Sequence, residues 1–461
     1  MKLLISGDGG LLDTRLRQAL GDGHDVGGLP FTELRDRDQV QRAVEDRETV
    51  IQLVPTGYQQ ESDLDLLDSA TRGTYNLLTT MTGGRLILVT SLRPFARYAA
   101  NWRVTEQWAP RPTTDVTDLA PYLAELTARE VCRVRPVEVI VLRVGEGVAD
   151  AVQAVEQALI DQPELEAAAS RWRVFHVPGG ELAEAASLQT AGLAAVPSPV
   201  RSPRKVVIYG AGGPLGAATA AHLASDHVLR LTDIRPLAEI AAGKPQSRGA
   251  PLPRALGSPH EERRVDVSDP AQVMAAAEGM DAIVNCSVVR PDPVNAFRVN
   301  TLGAYNVARA AITHGIQRIV HTGPVQFLLD HPSGYTADFD VSAEIPPRPG
   351  DNLYFISKYL GQEICRIFAQ EHGLSIPALL FGNFVNPAEP PDASKELYPF
   401  TVSWRDAAVA MHRALHVEAL PRPFEVLHIN ADLPHGQYPN DKAKRLLGWE
   451  PQDELAELYQ R

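Results

Sequence analysis

Two stretches of this chain open in the same way. Lys2-Leu-Leu-Ile-Ser and Lys205-Val-Val-Ile-Tyr are short aliphatic runs that break into glycines, and apolar residues at helical spacing follow each. In the second half, consecutive aliphatic runs predict strands at 206–209, 228–231, 282–285, 318–321 and 378–381. Helical-period segments predict helices at 215–224, 270–278, 300–314 and 354–372. Continuous rather than alternating apolar runs mark strands buried on both faces, so this order predicts a parallel sheet covered by helices. The first half repeats the grammar. Gly73-Thr-Tyr-Asn answers Gly303-Ala-Tyr-Asn, Arg85-Leu-Ile-Leu answers Arg318-Ile-Val-His, and Glu130-Val-Cys-Arg answers Glu363-Ile-Cys-Arg, at offsets of 230 to 233. We read a tandem duplication of one doubly wound α/β unit. A proline- and serine-rich stretch separates the copies, giving domains at 1–195 and 205–461 with a linker at 196–204.

Composition narrows the classes. The 461 residues are 44% hydrophobic and 22% charged, as in globular proteins, and long enough for two cores. Acidic residues outnumber basic ones 57 to 44, which argues against nucleic acid or an anionic membrane as partner. The three cysteines form no CxxC, and no apolar run approaches a membrane span. The 13 histidines show no HExxH or similar metal spacing. A cytoplasmic protein without a metal is the expectation.

Gly210-Ala-Gly-Gly213-Pro-Leu-Gly216 follows a strand and opens a helix. Gly210 permits a tight turn, Gly213 lets a pyrophosphate approach the backbone, and Gly216 packs helix on strand. Leu215 belongs to the same loop. Asp233 ends the second strand, where a carboxylate accepts both ribose hydroxyls, and Asp266-Val267 is placed to meet adenine. Asp233 repels a 2′-phosphate, which favours NAD over NADP; Arg235, two residues on, softens that choice. These features make both domains Rossmann-like. In the first half, Gly7-Asp-Gly-Gly10-Leu-Leu-Asp13 replaces the third glycine by aspartate, and no acid clearly ends the second strand. We read that copy as degenerate.

Tyr354-Phe-Ile-Ser-Lys358 opens a long helix, and a spacing of four stacks both side chains on one face. A phenol beside an ammonium suits acid–base work, because the cation stabilises the phenolate. With the loop, Asp233, Asp266-Val267 and Asn300, this pair resembles the extended short-chain dehydrogenase/reductases of the epimerase/dehydratase branch, across residues 204–461. Leu229-Arg-Leu-Thr-Asp-Ile-Arg-Pro236 and the ending Ala443-Lys-Arg-Leu-Leu-Gly-Trp-Glu-Pro-Gln-Asp453 look most like uronate dehydrogenases. The resemblance implies Tyr354 as acid/base and Lys358 as ribose and phenolate anchor.

Three departures point away from a uronate. Pro324 stands where the family has a substrate-binding serine, leaving Thr322 as the replacement donor. Val325-Gln326 replaces an Asn-His pair, and Leu380 replaces an arginine. The first half has Ser91 and Arg143 near these positions, but Pro121 and Glu125 where Tyr354 and Lys358 should be.

The leading expectation is an NAD-dependent oxidoreductase acting on a sugar-like or polyol hydroxyl or its carbonyl, catalysed by the second half. The alternatives are a non-catalytic NAD-binding scaffold or regulator, and an epimerase or dehydratase that recycles its NAD. Extended relatives commonly pair through the helix that carries the tyrosine and lysine. Tyr354–His372 and its counterpart at 121–133 both keep an apolar face, so the halves are expected to pair as an intrachain pseudo-dimer, with further homo-oligomers open.

Overall fold

The computed structural model describes residues 1–56, 62–99, 101–161, 171–178, 200, 202–325, 341–390, 397–434 and 436–458. Two compact units make up the chain, Met1–Gly192 with Gly350–Asn352, and Leu193–Pro349 with Leu353–Arg461. The chain passes between them at 192–193, at Pro349–Gly350 and at Asn352–Leu353; the first of these joins, and most of the expected linker, fall outside the described residues.

The first unit holds β1 (Lys2–Gly7), β2 (Asp25–Pro30), β3 (Thr49–Leu53), β4 (Arg85–Ser91), β5 (Glu138–Val144) and β6 (Trp172–Val177). They form one parallel sheet in the order β2-β1-β3-β4-β5-β6. The second unit holds β7 (Lys205–Tyr209), β8 (Val228–Asp233), β9 (Glu261–Arg264), β10 (Ala282–Asn285), β11 (Arg318–Pro324) and β12 (Ile376–Phe381). The short pair β13 (Asn383–Val385) and β14 (Thr401–Ser403) follows, then β15 (Phe424–His428). The main sheet runs β15-β12-β11-β10-β7-β8-β9, again parallel. The sheets match strand for strand once β9 is set aside, since the first has no counterpart of it among the described residues.

Every strand predicted in the second half is present, and β15 is a strand the sequence reading lacked. The 300–314 segment is not one uniform helix. A π-helical turn, Phe297–Leu302, leads into the α-helix Gly303–Thr313. The first unit repeats this with a π-turn at Ser69–Gly73 before Thr74–Thr80.

Helices cover both faces of the second sheet. Pro214–Leu223 and Trp404–His416 share one face, burying Ala220, Leu223, Met411 and Leu415 against Ile208, Val284 and Leu379. Burying a Leu or Ile side chain contributes about 1.5–3 kcal/mol, so this layer is a main source of stability. Gly303–Thr313 and Leu353–His372 pack on each other. Strand order reverses between β7 and β10. At such a point the loops beyond the carboxyl ends of the strands diverge and leave a crevice for ligand.

Candidate active site

The glycine loop follows β7 at this crevice, and each of its three motif glycines has its own physical reason. Gly210 sits at φ +78°, and a Cβ there would lie 2.8 Å from the Cys286 backbone. A Cβ on Gly216 would stand 2.3 Å from the Gly210 carbonyl oxygen, so helix and strand touch backbone to backbone. At Gly213 a Cβ would meet nothing closer than that same oxygen at 3.5 Å, so the fold leaves open the space a side chain would fill. Gly213 also caps the Pro214–Leu223 helix without any side-chain acceptor. Its first N–H groups and the positive end of its dipole are therefore available to an anion. Leu215 is turned half into the core beneath.

Asp233 ends β8, and its Oδ2 accepts the Gly212 N–H at 3.0 Å, so the carboxylate both shapes the loop and borders the crevice. Arg235 is exposed and faces Glu239 at 3.7 Å, which draws its charge away from Asp233. Asp266 accepts from the Ser268 N–H and hydroxyl at one oxygen, at 2.9 and 2.8 Å. Val267 is buried, and its carbonyl accepts from Asn306 at 2.9 Å. All these positions are thus held by the fold before any ligand arrives.

Tyr354 and Lys358 lie in the first turns of Leu353–His372. That helix is clamped to the π-turn. Asn300 donates to Ser357 Oγ at 2.9 Å, Thr301 donates to the Ser357 carbonyl at 2.8 Å, and a Cβ at Gly361 would stand 2.1 Å from the Asn300 carbonyl oxygen. Asn300 also exchanges hydrogen bonds with the Val289 backbone at 2.7 and 3.1 Å, which ties the loop after β10 to the same point. Lys358 is buried and donates to the Ser287 carbonyl at 3.4 Å. Burial pushes its ammonium down to about 8. Burial likewise pushes the neighbouring thiols of Cys286 and Cys365 up to about 12, so neither supplies a counter-charge at neutral pH.

Two expectations need correction. Thr322 was read as a donor to substrate, but its hydroxyl proton goes to the Asn285 carbonyl at 2.8 Å. A threonine in a buried strand satisfies its hydroxyl on the neighbouring strand, and only its lone pairs remain to face a ligand. The cation expected to lower the Tyr354 pKa was Lys358. Burial in fact raises Tyr354, and the charge that opposes this is Arg290, whose guanidinium lies 5.0 Å from the ring centre. Sequence reasoning missed Arg290 because it stands in a loop with no motif. Its only signal was its place just beyond the end of β10. Pro324 and Leu380 are both buried and offer no donor. Gln326 lies outside the described residues. Asp406, in the first turn of Trp404–His416, is structural: its carbonyl accepts from Trp449 and its carboxylate from the Asp453 N–H, both at 2.9 Å.

The site can be tested for fit to a dinucleotide on its own atoms. The open cradle at Gly213 is one indication. The other is Ser287 Oγ, buried beside the Lys358 contact without a hydrogen-bond partner. An orphaned buried hydroxyl costs about 1–3 kcal/mol, a cost that a ribose hydroxyl at this position would remove. The residues fit.

The equivalent place in the first unit is filled by its own side chains. Asp13 is buried; its Oδ2 accepts the Gly9 N–H at 2.8 Å, and its Oδ1 lies 2.7 Å from Arg17. Asp8 accepts the next N–H, that of Gly10, at 2.9 Å, so two carboxylates stand on the loop where the second unit leaves its Gly213 end open. A cavity of about 380 Å³ remains beside it, lined by Gly7, Asp13, Arg17 and Leu29. Glu125, where Lys358 has its counterpart, is paired with buried Arg143 at 2.8 Å and accepts from Thr90 at 2.7 Å.

Comparison with known proteins agrees with the geometry of the second unit. Residues 206–402 match the NAD dependent epimerase/dehydratase family. Over 264 residues the chain is 25% identical to an NAD-dependent glucose-6-phosphate dehydrogenase of Haloferax volcanii, covering 55% of this chain and 95% of that protein. It is 27% identical over 282 residues to an L-arabinose 1-dehydrogenase (NAD(P)(+)) of the same organism, covering 56% and 99%. It is 31% identical over 186 residues to a uronate dehydrogenase of Pseudomonas putida, covering 39% and 60%. Loop, clamped helix and sequence similarity converge on one assignment: residues 206–402 form a domain of the NAD dependent epimerase/dehydratase family, the extended type of short-chain dehydrogenase/reductase.

Proposed function

We propose that this protein is an NAD-dependent oxidoreductase that acts on a sugar-like hydroxyl or its carbonyl, with all of the chemistry in the second unit. The observation that carries this reading is the Tyr354/Lys358 pair one helical turn apart, held by Asn300, Thr301 and Gly361 beside the open glycine cradle. The relatives' names support the substrate class, since glucose 6-phosphate, L-arabinose and uronates share an oxidisable sugar hydroxyl. The loop N–H groups would hold the pyrophosphate, Asp233 the adenosine ribose, and Asp266 and Val267 the adenine. NAD, when bound, accepts a hydride from the carbon that carries the hydroxyl. Tyr354 Oη takes the hydroxyl proton in oxidation and returns it in reduction. The Lys358 ammonium would hold the nicotinamide ribose, while Arg290 is the cation that favours the Tyr354 phenolate against its burial. Thr322 serves as an acceptor at most, which leaves Tyr354 as the principal group on the substrate oxygen.

NADH formation across sugars, sugar phosphates, uronates and polyols tests the reading, with Tyr354→Phe as the control. Turnover should vanish in that variant while NAD binding persists. Pro324, Leu380 and the committed Thr322 proton favour a second reading, a scaffold that binds NAD without turnover. NAD binding with no product from any member of the panel would establish it. Cofactor that co-purifies and cycles without net NADH would instead indicate an epimerase or dehydratase.

The pairing of the two halves through Leu353–His372 and Val116–Val134 remains a proposal resting on their apolar sequence faces. A stable, monomeric and fully active fragment of residues 204–461 would overturn it.

A further inference from the structure

Four histidines meet where two helices of the second unit end. His222 lies near the end of Pro214–Leu223, His227 follows in the next turn, and His412 and His416 stand one turn apart on Trp404–His416. His227 Nε2 lies 3.0 Å from His416 Nε2, and His222 Nε2 lies 3.2 Å from His412 Nδ1. One ring nitrogen from each of His227, His412 and His416 falls within 4.8 Å of the other two. The sequence reading passed over His412-Arg-Ala-Leu-His416, a pair at helical spacing, because its third ligand, His227, comes from a distant segment.

We propose that His227, His412 and His416 bind a divalent transition-metal ion of the zinc class, which clamps the Pro214–Leu223 helix end to the Trp404–His416 helix. One ligand is oriented for it by the fold. His227 Nδ1 faces the Leu223 carbonyl at 3.2 Å and must donate there, so its Nε2 lone pair points into the cluster. Its 3.0 Å neighbour, His416 Nε2, then carries a proton that the metal displaces on binding. A proton on His412 Nδ1, directed to His222, leaves His412 Nε2 as the ligand and makes His222 an orienting partner. Zn–N bonds of about 2.0–2.1 Å put tetrahedral ligand atoms about 3.3 Å apart; His227 and His416 already stand at 3.0 Å, and the His412 nitrogen, within 4.8 Å of both, needs only a small side-chain adjustment. Imidazole nitrogens with no oxygen donor in the trio select zinc, copper, nickel or cobalt over magnesium or calcium. Both helices present their negative dipole ends here, and the Asp226 carboxylate adds to them. Arg318 and Arg413 oppose the ion, but Arg318 is turned onto the carbonyls of Ala414 and Val417. His412 and His416 are half-exposed, which gives the ion a way in and leaves a fourth position for water.

The test uses the tag-free full chain, stripped with chelator and titrated with ZnCl₂ by calorimetry and with CoCl₂ by visible absorption. One zinc per chain, a rise in Tm with zinc, and Co²⁺ d–d bands are expected. His412→Gln and His416→Gln should each weaken zinc by more than about 100-fold and abolish the Tm rise, and His222→Gln should weaken it by about tenfold, as loss of an outer-shell partner does. NAD binding, measured in parallel, reports that each variant is folded; if one is not, the other carries the test. Absence of zinc binding at 1 mM, or unchanged affinity in the folded His412 or His416 variant, would overturn the proposal.

Discussion

A single charge separates the two cofactors that this site could accept. Asp233 accepts the Gly212 N–H and borders the crevice, so its removal would disturb the loop as well as the charge. Asp233→Asn keeps an acceptor for Gly212 while removing the repulsion of a 2′-phosphate. We expect NAD affinity to fall about tenfold, the scale of a lost charged hydrogen bond, and the NAD/NADP preference to shrink with it; an unchanged ratio in calorimetry would take Asp233 out of the ribose role. Lys358 sets the pH behaviour. Its folded pKa is depressed to about 8, so its charge is present below that pH and lost above it. Turnover that needs the ammonium should decline as pH rises through about 8, and Lys358→Arg, whose guanidinium does not titrate there, should retain a flat profile to pH 10. The stability sign is the reverse. Between about 8 and the ordinary lysine value of 10.5 the unfolded chain holds a proton that the native chain has released, so this residue adds stability as pH rises.

At the scale of elements, the Leu353–His372 helix is positioned by close backbone contact, and glycines make that contact possible. Gly361→Ala would drive a methyl group into the Asn300 carbonyl, a backbone atom that cannot swing aside. Overpacking of this kind costs about 1–3 kcal/mol, and it should lower both the urea midpoint and turnover as Tyr354 and Lys358 shift. An unchanged midpoint would show that the clamp does not rest on this glycine. Gly213→Val is the complementary case. The fold leaves that position open to a Cβ, so the stability loss should stay near the ~1 kcal/mol of a weakened helix N-cap while NAD binding is lost to the filled cradle. A strong fall in stability would mean that the glycine serves the turn rather than the ligand.

For the whole molecule, the two units share a strand order but not a site. Asp13 and Asp8 place carboxylates on the Gly9 and Gly10 N–H groups of the first unit, and Glu125 is neutralised by Arg143 where the second unit keeps its lysine. Calorimetry on the full chain should therefore find one NAD site, abolished entirely by Gly213→Val. Two sites of comparable affinity would contradict the reading of the first unit as degenerate. No helix among the described residues is long and apolar enough to cross a membrane, in line with the broken apolar runs.

What the amino-acid order determined by itself was whatever depends on local periodicity and steric necessity. Aliphatic runs between helical stretches specified the parallel sheets, and the spacing of Gly210, Gly213 and Gly216 specified a loop whose turn and helix contact admit no larger residue. Tyr354 and Lys358 were legible because a helix makes residues four apart neighbours, and helices are local. The tertiary structure decided everything that depends on which distant groups meet. The Thr322 proton goes to Asn285 because β11 lies beside β10; Arg290 reaches Tyr354 because Asn300 holds its loop to the π-turn. The histidines at 227, 412 and 416 converge because two helices cover one sheet face. Hydrogen bonds and charges act over a few ångströms, and only the packed chain brings residues tens or hundreds of positions apart within that range.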